Sequence, residues 1–197
     1  CNPAKFKKRK PLLDSNKILF VGRILPEKGI KQLIQATLMI KTNYPQVKLV
    51  IAGSDGYGPK EDSEFQKELK KIAKKEINSF EFLGYVNHQN VGELFANTAL
   101  YVVPSIWNEP FGLTVLEGMA SGIPMIVGNT GAIPEIVGDT AIKVNCKDVE
   151  TLAETILYSL THRNEMNTMA GEAHERFMSH FTWDHVSDNY QKIIKDL

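Results

Sequence analysis

Two cysteines in 197 residues, Cys1 and Cys146, are too few for a disulfide framework or a paired-cysteine metal site, and they point to a reducing, cytoplasmic setting. Net charge is also missing. The 23 Lys and Arg balance the 23 Asp and Glu, so no global field argues for nucleic acid or an anionic membrane, and any basic site must be local. No apolar stretch approaches the roughly 20 residues that span a bilayer, and the opening CNPAKFKKRKP lacks the apolar core of a signal peptide. There is no Asp-x-Asp pair to hold a divalent ion on a diphosphate, and the five histidines have no metal-ligand spacing with a carboxylate or cysteine. Two glycine-bearing stretches fail as nucleotide fingerprints. GYGPKE (56–61) carries Glu61 where a third glycine is needed, and GRILPEKG lacks the Gly-Lys-Ser/Thr order of a P-loop. The basic KFKKRK at 5–10 reads as a solvated linker and KELKKIAKKE as a surface helix, so membrane contact is expected to be peripheral at most. No repeat, low-complexity tract or composition shift marks a second domain, and one domain over 1–197 is expected.

What is present is an alternation. Six short runs rich in β-branched or large apolar residues read as buried strands: KILFVG (17–22), VKLVIAG (47–53), FEFLG (80–84), ALYVVP (99–104), IPMIVG (123–128) and AIKVN (141–145). Between them, EKGIKQLIQATLMIKTNY, EDSEFQKELKKIAKKEIN and NHQNVGELFANT space their apolar residues three and four apart, as amphipathic helices do. From about Asp148 the pattern is helical only, ending in FTWDHVSDNYQKIIKDL. This order predicts an α/β fold: a doubly wound, Rossmann-like parallel sheet of about six strands, with helices on both faces and right-handed crossovers. Such sheets take ligands beyond the carboxyl ends of their strands. There the chain places GRILPEKG, GSDGYGPKE, GYVNHQN and PSIWNEPFG, so glycines, Arg23, Lys28 and Glu109 converge on one rim.

Inside the otherwise apolar NEPFGLTVLEGMASGIP (108–124) stand two carboxylates, Glu109 and Glu117. A helix starting near Gly112 stacks Leu113, Leu116, Glu117 and Ala120 in one stripe, with Val115, Met119 and Gly122 on the other side, so it is expected to be packed nearly all round. A bare carboxylate in that stripe is costly, and Glu117 needs a hydrogen-bonding partner. Arg23 taken alone reads as a surface cation. Gly112 shifts the balance, because a helix start on the same rim offers free N–H groups and the positive end of the dipole. Arg23, Lys28 and that helix start together suit a diphosphate, supplying the neutralisation that a metal would otherwise provide.

Taken together, ILFVGRILPEKGIKQLIQA, LVIAGSDGYGP, FEFLGYV, ALYVVPSIWNEPFGLTVLEGMASGIPMIVGNTGAIPEIV and FTWDHVSDNYQKII resemble the C-terminal, donor-binding domain of retaining GT-B glycosyltransferases, the large family-four group. The resemblance spans nearly the whole chain. Its most specific part is the glutamate pair in PS-x-x-x-E-P-F-G-L-x-x-L-E-x-M-A-x-G-x-P, preceded by GR-x-x-x-x-KG, and no motif position departs from the pattern.

The resemblance implies a donor site. Glu117 would accept the ribose hydroxyls, and Arg23 and Lys28, with Gly22 beside them and the backbone of Gly112, Leu113 and Thr114, would grip the diphosphate. Glu109 would lie near the transferred sugar, whose hydroxyls meet the backbone of the loop that carries Phe111. The base would sit against Tyr85 and Val86, with Gly53 and Ser54 nearby. The implied reaction moves a hexose from a nucleoside diphosphate, UDP with a glucose-type sugar being the expected donor, to a hydroxyl of a glycan or glycolipid with retention and without a metal. The resemblance further implies that 1–14 is a linker, that 182–197 is a helix packing towards an N-terminal acceptor domain absent here, and that this chain alone binds donor but transfers nothing. A non-catalytic nucleotide-sugar-binding module or subunit, and a sugar-nucleotide epimerase of related architecture, stand as alternatives.

Overall fold

All six apolar runs form strands: β1 Lys17–Val21, β2 Lys48–Ala52, β3 Phe80–Gly84, β4 Leu100–Val103, β5 Met125–Gly128 and β6 Ile142–Val144. The computed structural model describes residues 6, 8, 14–56, 58 and 61–195. Most of the linker assigned to 1–14, most of the basic stretch 5–10, positions 57, 59 and 60 of the 56–61 loop, and 196–197 lie outside the described residues. The strands hydrogen-bond in the order β3-β2-β1-β4-β5-β6, and every neighbouring pair is parallel. The order reverses between β1 and β4, the switch point where crossovers leave in opposite directions and open a crevice.

Helices cover both faces: α1 Ile30–Ile40, α2 Glu64–Ala73, α3 Val91–Ala96, α4 Leu113–Ser121, α5 Ile133–Val137, α6 Val149–Thr161, α7 Arg163–His180 and α8 Trp183–Lys195. Local chemistry starts several of them. Ser63 and Gln66 form a reciprocal capping box at α2, and the Asp148 carboxylate accepts the Thr151 N–H at 3.1 Å at α6. Strand alternation then sorts the core into two layers. Ile18, Phe20, Leu49, Ile51, Leu100, Val102 and Ile126 point to the face covered by α1 and α6, while Leu19, Val50, Tyr101, Val103, Met125 and Val127 point to the face covered by α3, α4, α5 and α7.

One strand departs from expectation. β3 is half-covered, with Glu81 and Leu83 exposed, because it is an edge strand paired only with β2; Phe80 and Phe82 pack on one core layer and the opposite side stays open. At the other end of the chain, α8 carries exposed Trp183, Tyr190, Ile193 and Ile194. No helix among the described residues is long and apolar enough to cross a membrane.

The layer between sheet and α7 depends on Phe177, which is fully buried among α4 and strand side chains. Phe177→Ala is expected to cost about 3–5 kcal/mol, seen as a lower urea midpoint at unchanged denaturant slope.

Candidate functional site

The ends of β1, β2 and β3, beside the switch point, are knitted together by backbone bonds. The Gly22 N–H donates to the Ala52 carbonyl at 3.1 Å, Gly53 N–H to Gly84 at 2.7 Å, and Ile24 N–H to Ser54 at 2.9 Å. Above them lies a trough with two lobes. One, of about 450 Å³, is lined by Gly22, Arg23, Lys28, Glu109, Phe111, Gly112, Leu113 and Thr114 among others. The second, of about 280 Å³, is lined by Gly53, Ser54, Tyr85, Val86, His88 and Glu117 among others, and the lobes share Val21, Gly22, Arg23 and Thr114. Every residue expected at the site from the sequence therefore faces one continuous hollow.

The larger lobe is an ion-pair cluster beside a helix start. A 3₁₀ turn over Pro26–Lys28, opened by proline and closed by left-handed Gly29, aims Lys28 across the cleft. Its ammonium pairs with Oε1 of Glu109, and the Ser105 hydroxyl donates to the same oxygen at 3.2 Å. The Trp107 ring lies 5.0 Å from the Lys28 ammonium, close enough for cation–π attraction. The loop holding Glu109 is itself pinned. Its carbonyl accepts the Ala132 N–H at 2.9 Å, and the Thr130 hydroxyl donates to the Trp107 carbonyl at 2.9 Å. Gly131 is required there, since its φ is +59° and a Cβ would lie 2.3 Å from the Glu109 nitrogen. Gly112 at φ +79° then turns the chain into α4 with no side-chain cap, which leaves the first N–H groups of the helix facing the cleft. Arg23 is exposed, and its side chain has no hydrogen-bond or ion-pair partner among the described residues. The cleft thus gathers a free guanidinium, an ammonium shared with one carboxylate and the positive end of a helix, a set suited to an anion with several oxygens.

The helix that walls both lobes corrects one expectation and fills a gap. α4 is not packed all round: Leu113 is 63% exposed and lines the cleft mouth, whereas Val115 and Leu116 of the same first turn are buried against the core. Glu117, one turn further in, is buried as expected, and its partner is His88, whose Nε2 lies 2.9 Å from Oε1. Spacing rules for metal ligands do not reveal His88; its place in the strand-end loop GYVNHQN does. Burial pushes the Glu117 carboxyl above its ordinary value, and the bond to His88 pulls it part of the way back. Beneath it, burial and then the Glu117 charge push the Tyr101 hydroxyl far up, so it stays a neutral donor, 3.4 Å from the Val21 carbonyl. Among the described residues no group of three or more His, Cys, Asp or Glu side chains is arranged to hold a metal ion.

A carboxyl held above its ordinary 4.5 keeps its proton in the folded state over a pH range where the unfolded chain has lost it. Its contribution to stability is therefore fully present below that range and lost as pH rises through it. Glu117→Gln is expected to raise the thermal midpoint of the ligand-free protein at pH 7, with the gain shrinking towards zero as pH falls to 4.5, as scanning calorimetry across that range would record.

Comparison with known proteins agrees with this geometry. The family described as glycosyl transferases group 1 matches residues 2–176. Glycogen synthase of Mycobacterium tuberculosis is 30% identical over 184 residues, covering 92% of this chain and 43% of its own length. Among solved structures, sucrose-phosphate synthase from Thermosynechococcus elongatus superposes with a TM-score of 0.84 at 25% identity, over 100% of this chain and 50% of that one. HepE of Anabaena in complex with UDP-glucose superposes with a TM-score of 0.85 at 21% identity, over 100% and 56%, which shows a common fold. The chain spans about half the length, or less, of the curated relatives it matches, with shares of 27%, 48% and 43%. With a family match over most of its residues, a shared sheet and a cleft at the expected strand ends, the chain belongs to the glycosyl transferases group 1 family.

Proposed function

We propose that this chain is the donor-binding half of a two-domain retaining glycosyltransferase that moves a hexose from a nucleoside diphosphate, with UDP-glucose or a similar UDP-sugar as donor, to a hydroxyl on a glycan or glycolipid. The observation that carries the reading is the trough itself: one hollow joins Arg23, Lys28 and the start of α4 to a buried acceptor, Glu117, through shared walls. A nucleoside diphosphate sugar has the matching order of groups. The base enters against Tyr85 and Val86 near Ser54, the vicinal ribose hydroxyls donate to Glu117, and the diphosphate crosses Gly22 and Arg23 to the helix start. The sugar then lies by Glu109 and the backbone of Phe111 and Gly112. HepE, whose fold this chain shares, has been solved with UDP-glucose, which supports uracil as the base.

In the transfer step the acceptor oxygen bonds to the anomeric carbon on the face from which the diphosphate leaves. The bond from that carbon to the diphosphate oxygen breaks, and the acceptor proton passes to that oxygen. Negative charge gathers on the diphosphate as the bond lengthens, so Arg23, Lys28 and the α4 N–H groups act chiefly on the transition state. No metal is required in this scheme. Glu109, held by Lys28 and Ser105, orients the sugar and steadies positive charge at the anomeric carbon. The acceptor comes from a second domain on the far side of the cleft, on which the exposed apolar face of α8 packs. The setting is the cytoplasm, with at most peripheral contact to a membrane.

Calorimetric titration of this chain with UDP, GDP and ADP, with and without magnesium, tests the reading; binding of one of them without metal is the expected result, and binding of none contradicts it. Glu117→Ala should weaken the bound nucleotide by about 1.5–3 kcal/mol, and unchanged affinity in a folded variant would remove the ribose assignment. Arg23→Ala should lower affinity for the diphosphate while leaving the nucleoside unaffected, and equal losses for both would make Arg23 structural. In the two-domain protein, Glu109→Gln should reduce turnover more than nucleotide affinity.

A further inference from the structure

Glu117 needs more than burial to work as an acceptor, because a carboxylate on a flexible stem must present its lone pairs in a fixed plane. Its own helix gives the carboxylate no hydrogen bond among the described residues: Val115, Leu116, Met119 and Ala120 are buried and apolar, and the Ser121 hydroxyl donates to the Glu117 backbone carbonyl instead. The bond that fixes the plane comes from 29 residues upstream, from His88 in the loop between β3 and α3, at 2.9 Å on Oε1. Oε2 has no hydrogen-bond partner among the described residues. A wall stands behind the imidazole. Phe6, 2% exposed, meets it edge-on at 5.9 Å and leans in turn on Phe95 at 6.1 Å, so the ring is held from one side by apolar packing while its side chain stays 59% exposed on the other.

We infer that His88 is a positioning residue for nucleoside recognition: its ring N–H holds the Glu117 carboxylate in the plane that meets both ribose hydroxyls, and so sets the preference for ribonucleotide over 2′-deoxyribonucleotide. The inference rests on the donor-site reading above. With Oε1 engaged by the imidazole, the second lone pair of Oε1 and the pair of sites on Oε2 remain for two vicinal hydroxyls. A deoxyribose fills only one of them, and a buried acceptor left open carries a penalty that the ribose avoids. If the imidazole is removed, the carboxylate turns freely and the difference between the two sugars narrows. Among the described residues, the charged and titratable groups that line the same lobe as His88 are Glu117 from α4, Arg23 from the loop after β1 and Tyr85 just after β3, while Phe6, Val86 and Val91 are apolar. Glu117 is the one acid among them, so the loss of His88 falls on that carboxylate.

The experiment measures dissociation constants of UDP and 2′-deoxy-UDP, or of the matching guanosine or adenosine pair if that base is taken up, for the parent chain, His88→Ala and His88→Gln between pH 5.5 and 8.5. The parent is expected to favour the ribonucleotide about tenfold or more, in line with one charged hydrogen bond. His88→Ala should cut that ratio at least threefold and move the acid-side loss of ribonucleotide binding to higher pH, since the imidazole no longer pulls against the effect of burial on the Glu117 proton. His88→Gln, which returns an N–H without a titrating ring, should restore the ratio. A ratio unchanged in a folded His88→Ala chain, or equal weakening of both nucleotides, overturns the inference. Glu117→Ala separates the two levels. If it erases the ratio while His88→Ala leaves it intact, the ribose assignment stands and the role of His88 falls; if Glu117→Ala also leaves the ratio intact, the ribose assignment falls and takes the inference with it.

Discussion

Six parallel strands must all release their chains at the same edge, and every feature of the candidate site descends from that constraint. Each connection has to climb over the carboxyl end of its strand before a helix can carry it back. At the one place where the strand order reverses, between β1 and β4, the loops on either side lean apart and leave a hollow that no helix fills. The residues on the rim are spread along the sequence because four crossovers supply them: Arg23 and Lys28 follow β1, Ser54 follows β2, His88 follows β3, and Glu109 and Glu117 follow β4. Packing below the rim keeps them in register. The two core layers, sorted by strand alternation, give the loops a floor that does not yield.

On that floor the electrostatics are arranged at some expense of stability. Glu117 is a buried carboxylate whose ionised form is disfavoured in the empty site, and a single imidazole bond offsets only part of the desolvation. Lys28 and Glu109 satisfy one another, whereas among the described residues the Arg23 side chain has no hydrogen-bond or ion-pair partner and the start of α4 has no side-chain cap. An arrangement that leaves cations and donors unmatched on one side and an acceptor buried on the other is poorly suited to an empty protein and well suited to an anionic ligand bearing hydroxyls. The glycines are part of the same logic. Gly131 permits backbone to pass where a side chain would displace the Glu109 loop, and Gly112 adopts the left-handed φ of +79° that turns the chain into α4.

Much of this is legible in the amino-acid sequence. The six strands fall within the apolar runs, since β-branched runs bounded by Gly, Pro and Asn carry their own boundaries. The oddity of Glu117 was legible too, because a carboxylate inside a stripe of Leu, Met and Ala conflicts with the helical period. Three things were not. β3 has the composition of a buried strand, but its place at the sheet edge depends on pairing order, which composition does not encode. Leu113 fits the apolar stripe of α4, yet it stands at the cleft mouth while Val115 and Leu116 of the same turn are buried, a difference set by which side of the helix meets the core. His88 has an ordinary sequence environment, and its meeting with Glu117 requires the chain to travel from β3 through α3 and β4 to α4 and return to the same rim.

The amino-acid order by itself determined the alternation of strands and helices, the residues that would stand at strand ends, and the presence of an acid that needed a partner, because these follow from local periodicity and from the cost of burying charge. Only the tertiary structure decided which partner that acid takes, that Lys28 leans on Glu109 and Trp107 while Arg23 stays open, and that two lobes join into one trough. These are distances between elements remote in sequence, and they become defined only when parallel crossovers bring separate loops to one edge.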